Sequence, residues 1–123
     1  TDRAEILELY RILAAESDRI SDRGSDERAQ DADLQFHLAV FRASRNRLLV
    51  YIGTLIGHIM RQQIAMTTST PGVFRDAVQL HKEMAEAIVK RNHLEAERAA
   101  RDNVIWTQNA LERLRENPAQ RSE

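Results

Sequence analysis

The sequence has no cysteine, which excludes disulfides and thiolate-held metal. A reducing, cytoplasmic setting suits such a chain. Proline occurs twice and glycine four times, so few positions force a helix to stop. Charge of one sign is also lacking. The formal net charge is −1, so no basic field points toward nucleic acid. Long hydrophobic runs are missing too. The best stretch, Leu48 to Met60, is interrupted by Gly53, Thr54, Gly57 and His58. It falls short of the roughly 20 apolar residues that span a bilayer. No signal-peptide pattern opens the chain. It begins mid-pattern at Thr1-Asp2-Arg3-Ala4 without an initiator methionine, and we read it as a piece of a longer protein.

What is present suits one globular domain. Of 123 residues, 42% are hydrophobic and 30% charged, enough to fill a single core. Helical periodicity dominates and no segment alternates as a strand, so the fold class is all-α, an antiparallel bundle of about five helices. The first helix runs from about Asp2 to Ile20, with Ile6, Leu9, Leu13 and Ile20 on one stripe, and Gly24 breaks the chain after it. Ser25 or Asp26 caps a second, ending near Ser44. Asn46 caps a third, ending near Met66. This helix is apolar on nearly all sides, so it is either central or part of an interface. Thr67 to Thr70 reads as a polar loop, with Pro71 in the first position of a fourth helix. Asn92 with Glu95 resembles a capping box at the start of a fifth. The helical domain should cover residues 1–117, with a frayed tail over 118–123.

Several polar residues fall on apolar faces. Asp33 and His37 lie four apart within the Ala29, Phe36, Val40 and Phe41 stripe, and so stack on one side of their helix. His81 lies among Ala77, Met84, Ala85 and Ile88. Asn103 lies beside Ala96, Ala99, Ala100 and Ala110. Spacing alone is weak evidence. With 19 acids in 123 residues and four histidines, about two acid–histidine pairs at helical spacing arise by chance. Two occur: Asp33 with His37, and His93 with Glu97. What singles out Asp33, His37 and His81 is their inward placement. An unpaired buried polar group costs roughly 2–7 kcal/mol, so these groups need one another, water, or an ion. Together they offer a nitrogen and oxygen donor set for a divalent metal. The competing reading is a set of satisfied core histidines. His58 is a candidate for the same cavity, while Trp106 reads as core or interface. The charged residues of the last helix read as a solvated face.

The segment Asp33-Leu34-Gln35-Phe36-His37 resembles the Asp-x-x-Phe-His signature of the FCD domain, the C-terminal half of FadR-type regulators in the GntR superfamily. Ala43-Ser44-Arg45-Asn46-Arg47-Leu48-Leu49 resembles the family's helix break. His81 with Ala87-Ile88 resembles its His-x-x-x-x-x-Ala-Ile segment, and Asn92 to Glu97 its turn into the last helix. The resemblance covers about Ser25 to Leu114.

It implies a metal-dependent sensing and dimerisation domain of a bacterial transcription regulator. The ion would be zinc, nickel or manganese, zinc foremost, holding a small carboxylate metabolite. Metal ligands by resemblance are Asp33, His37 and His81, with Asn103 where many members place another histidine. Asn46 and His58 are carried as effector-binding candidates. No catalytic residue is expected. The implied assembly is a homodimer that reaches DNA only through a winged helix-turn-helix domain outside this chain, with no membrane contact. A metalloenzyme on the same bundle, or a purely structural dimerisation bundle, are the alternatives.

Overall fold

The computed structural model describes residues 2–116. Among these residues there are five helices and no strand: α1 Asp2–Ile20, α2 Glu27–Ala43, α3 Arg47–Thr68, α4 Val73–Val89 and α5 His93–Glu116. The expected tail over 118–123 lies outside the described residues. None of these helices is long and apolar enough to cross a membrane.

The α1 stripe behaves as its periodicity requires. Ile6, Leu13 and Ile20, seven residues apart, are buried against Phe36 of α2 and Phe74 and Val78 of α4. Burying a side chain of this size stabilises by about 1.5–3 kcal/mol. The main core cluster lies among α1, α2 and α4, with Ala99 from α5 and no residue from α3. Around the bundle the helices pack in the order α3, α2, α1, α4, α5, and α3 meets α5 only sparsely. The third helix is therefore peripheral. Its apolar excess lies outside, with Leu48, Tyr51, Leu55 and Ile59 exposed.

The helix ends show local chemistry at work. The Asp26 carboxylate accepts from the Ala29 N–H at 3.0 Å, which settles the α2 cap between the two candidates. The Asn46 side chain accepts from Leu48 and Leu49 N–H at 2.9 and 3.3 Å. The Asn92 side chain caps α5 through the Glu95 N–H at 3.1 Å. The Asn92 N–H reaches back instead to the Ala87 carbonyl at 2.9 Å, closing α4 around Arg91 at φ 57°. This is a left-handed C-terminal cap on a residue other than glycine.

Two expectations fail near residue 70. Thr67 and Thr68 are not loop residues but the buried last turn of α3. Each hydroxyl donates to a carbonyl one turn back, a bond that removes the cost of burying it. Pro71 is not the first helical residue. It sits in the turn before Gly72, whose φ of 83° suits a residue without a side chain. Gly24 has a different reason. A Cβ there would stand 2.0 Å from the Ser69 carbonyl oxygen, so only glycine lets the end of α1 lie against the end of α3. Ser25 completes that clasp with its N–H on the Thr68 carbonyl at 3.0 Å.

Candidate metal centre

Asp33 and His37 stack on α2, and α4 brings His81 across to them. His81 Nε2 stands 2.9 Å from Asp33 Oδ1 and 2.9 Å from His37 Nε2. His37 Nε2 stands 3.1 Å from the same Oδ1. Asp33 and His81 are each 2% exposed and His37 is half-buried. Phe36 packs its ring against both imidazoles, with centroids at 5.8 and 5.2 Å. Burial, the largest single influence on Asp33, pushes its pKa up. The charge of His81 and the hydrogen bonds from His37 and His81 outweigh it and hold the carboxyl below the usual carboxylate range.

No placement of protons satisfies this triangle. The carboxylate oxygen only accepts, and each Nε2 either donates or accepts. If both rings donate to Asp33, two N–H groups confront each other across 2.9 Å. If one ring donates, the other turns a lone pair toward a carboxylate oxygen. One edge is always repulsive. A cation facing all three lone pairs removes the conflict. Donors at right angles about an ion roughly 2.1 Å away stand about 3.0 Å apart, close to the edges seen here. The residues present therefore fit a divalent ion.

Asn103 approaches from α5 on the other side of the ring. Its amide nitrogen stands 3.4 Å from His81 Nδ1, the nitrogen that faces away from the triangle. The carboxamide thus meets His81 from behind the triangle.

Asp33, His37, His81 and Asn103 all line one cavity of about 480 Å³. Its wall continues through Val40 and Phe41 of α2, Ile56 and Met60 of α3, and Trp106 and Leu111 of α5. The other two candidates lie elsewhere. Asn46 is exposed and spends its side chain on the α3 cap. His58 is exposed and is not on the cavity wall. Sequence reasoning did not single out Gln63, Thr67, Thr107 or Gln108, which add polar groups to the wall. Their signal was weak, since neutral polar residues on a half-exposed helix face are common. The α5 surface carries the expected ion pairs, with Arg98 meeting Glu83, Glu95 and Asp102.

No curated protein and no solved structure gives a match to the chain. The FCD domain family does match, over residues 1–104, a span holding the whole α2–α4 triangle and the asparagine behind it. The chain therefore belongs to the FCD family, the effector-binding domain of GntR-type regulators.

Proposed function

We propose that this domain senses a small carboxylate through a divalent ion held by Asp33, His37 and His81. The observation that carries the reading is the triangle of donors that protons alone leave in conflict. The ion would supply positive charge and open coordination positions for an anion. The chain's own residues do the rest. Asp33 offsets part of that charge. His37 and His81 present nitrogen lone pairs only as neutral rings, so uptake of the ion weakens on acidification. With the Nε2 lone pair given to the ion, His81 carries its proton on Nδ1, and the Asn103 carboxamide, turned to present its oxygen, accepts that N–H and holds the ring's direction. Its placement supports an orienting role over direct ligation. Imidazole donors suit zinc and nickel, and the near-right-angle spacing also suits manganese.

Asp33 is the only acid on the cavity wall among the described residues. A metal ion can activate water without a further base, so the match to a regulatory family is what favours sensing over catalysis. Within a FadR-type regulator, ligand binding would bias the pairing of two chains and hence their grip on DNA through a separate domain. The exposed apolar stripe of α3 supports self-association as a two-fold pair.

The test is metal content after dialysis against zinc, nickel or manganese, with chelator competition for affinity. One equivalent per chain, lost in His37→Ala, is expected. Sub-stoichiometric metal that is indifferent to His37→Ala and His81→Ala would reject the site.

A further inference from the structure

Helix α3 carries its exposed apolar side chains in an order that reads the same from either end. Leu48, Leu55, Ile59 and Met66 follow one another at steps of seven, four and seven residues, and each is between 46% and 64% exposed. At about 100° per residue they fall within one narrow stripe. A two-fold axis across the middle of the helix sets Leu48 against the partner's Met66 and Leu55 against the partner's Ile59, each pair occurring twice. A stripe of uneven spacing would not meet itself in this way.

The directions of the helices favour the same pairing. Arg42 at the end of α2 meets Glu5 at the start of α1, Ser25 before α2 meets Thr68 at the end of α3, and Arg3 at the start of α1 meets the Val89 carbonyl at the end of α4. The short turn after Val89 folds α5 back along α4, where Arg98 meets Glu83. So α1, α3 and α5 run one way, and α2 and α4 the other. Among the described helices, the seam between α3 and α5 sets two parallel neighbours side by side with their dipoles aligned. A second α3 brought in by a two-fold axis runs against both.

Charge and area agree with it. Arg47 and Arg61 are the only Lys, Arg, Asp or Glu residues in α3; Arg47 stands at the helix start and Arg61 is held by Asp31 at 2.8 Å. Tyr51 and Ile52 widen the stripe to six exposed side chains. At roughly 100 Å² each, two copies would bury about 1,200 Å², where stable interfaces begin. Ile52 and Gln63 lie on the same flank of α3, about 20° apart around the helix, and Gln63 is a cavity-wall residue. In the two-fold register the partner's Ile52 arrives beside Gln63.

We propose that a second copy of this chain lays its α3 antiparallel on the first, and that the partner's Ile52 completes the cavity rim at Gln63. Occupancy of the cavity and pairing of the chains are then linked, each biasing the other. The inference rests on the self-association proposed above. It adds the helix, its direction and register, and the residue that one copy lends to the other's cavity.

The chain has no cysteine, so introduced thiols are the only ones present. Leu48→Cys and Met66→Cys chains are mixed and oxidised, with light scattering on the wild-type chain and circular dichroism on each variant as controls. Both positions are exposed, so the fold tolerates the change. The mixture should give disulfide-linked pairs of unlike chains. Either variant alone should link far less, because like residues stand about 27 Å apart along the helix. Ile52→Cys and Gln63→Cys chains, mixed and treated with a short bismaleimide, should link with the same preference for unlike partners.

A wild-type chain that stays monomeric at high micromolar concentration would overturn self-association and this inference together, and would leave the stripe to another segment or protein. A dimer in which like thiols link as readily as unlike ones, or in which none link, would overturn the inference while leaving self-association intact. Linking through Leu48 and Met66 but not through Ile52 and Gln63 would take the partner away from the cavity rim and overturn the shared cavity.

Discussion

The Asn103 carboxamide meets His81 at Nδ1, 3.4 Å away, while the opposite ring nitrogen faces Asp33 and His37. On the metal reading proposed above, this back-to-front arrangement gives Asn103 a positioning role. Asn103→Leu should lower metal affinity about 10- to 100-fold without changing stoichiometry. Asn103→Asp, whose carboxylate accepts from Nδ1–H, should retain or raise it. Chelator competition measures both. Unchanged affinity in Asn103→Leu would remove Asn103 from the site.

Metal should stabilise the fold through the triangle. An ion at 100 times its dissociation constant adds about 2.7 kcal/mol when it binds only the folded chain. Thermal melts with zinc and with excess chelator should therefore separate clearly for the wild-type protein and coincide for His37→Ala. A zinc-dependent rise that persists in His37→Ala would place the ion elsewhere.

The α3 stripe gives a prediction about assembly. Leu55 and Tyr51 are 58% and 61% exposed, so glutamate at both leaves the bundle core intact. Light scattering at micromolar concentration should give a dimer mass for the wild-type chain and a monomer mass for Tyr51→Glu/Leu55→Glu, with equal helicity by circular dichroism. A monomeric wild-type chain would count against pairing through this face.

Asp26 links stability to pH. Its hydrogen bond from Arg19, then the Ala29 N–H, lower its pKa to about 2. The group is depressed in the folded state, so its contribution is full above its unfolded value near 3.9 and fades as pH falls through the folded value. Asp26→Ala should cost about 1 kcal/mol at neutral pH, as loss of an N-cap does. Urea melts should show the gap between variant and wild type closing between about pH 4 and pH 2. A gap that stays constant over that window would separate the cap from the charge.

Much of the helix layout was legible because periodicity and caps agree. Asp26, Asn46 and Asn92 are short polar residues placed before apolar-periodic segments, and each caps its helix. The approach of Asp33, His37 and His81 was legible because a polar group on a buried stripe has few places to go. The position of α3 was not. A helix apolar on nearly every side gives no clue to which side the core takes, and the answer came from Ala-rich and Phe-bearing faces on its neighbours. Thr67 and Thr68 misled for a related reason. Threonine marks loops because its hydroxyl needs a partner, yet here the preceding turn supplies that partner. Which nitrogen of His81 Asn103 would meet depends on ring rotation, which sequence register does not specify.

The absence of α3 from the main core cluster divides the molecule mechanically. Asp33, His37 and His81 stand on α2 and α4, which are anchored in the packed core and resist displacement as any close-packed interior does. The facing wall belongs to α3 and α5, which touch each other little. A body entering between them would meet the one seam of the bundle where two neighbouring helices hold each other weakly. Under the proposed sensing role, a ligand held at the triangle would therefore press on α3, whose outer face carries the exposed Leu48, Tyr51, Leu55 and Ile59.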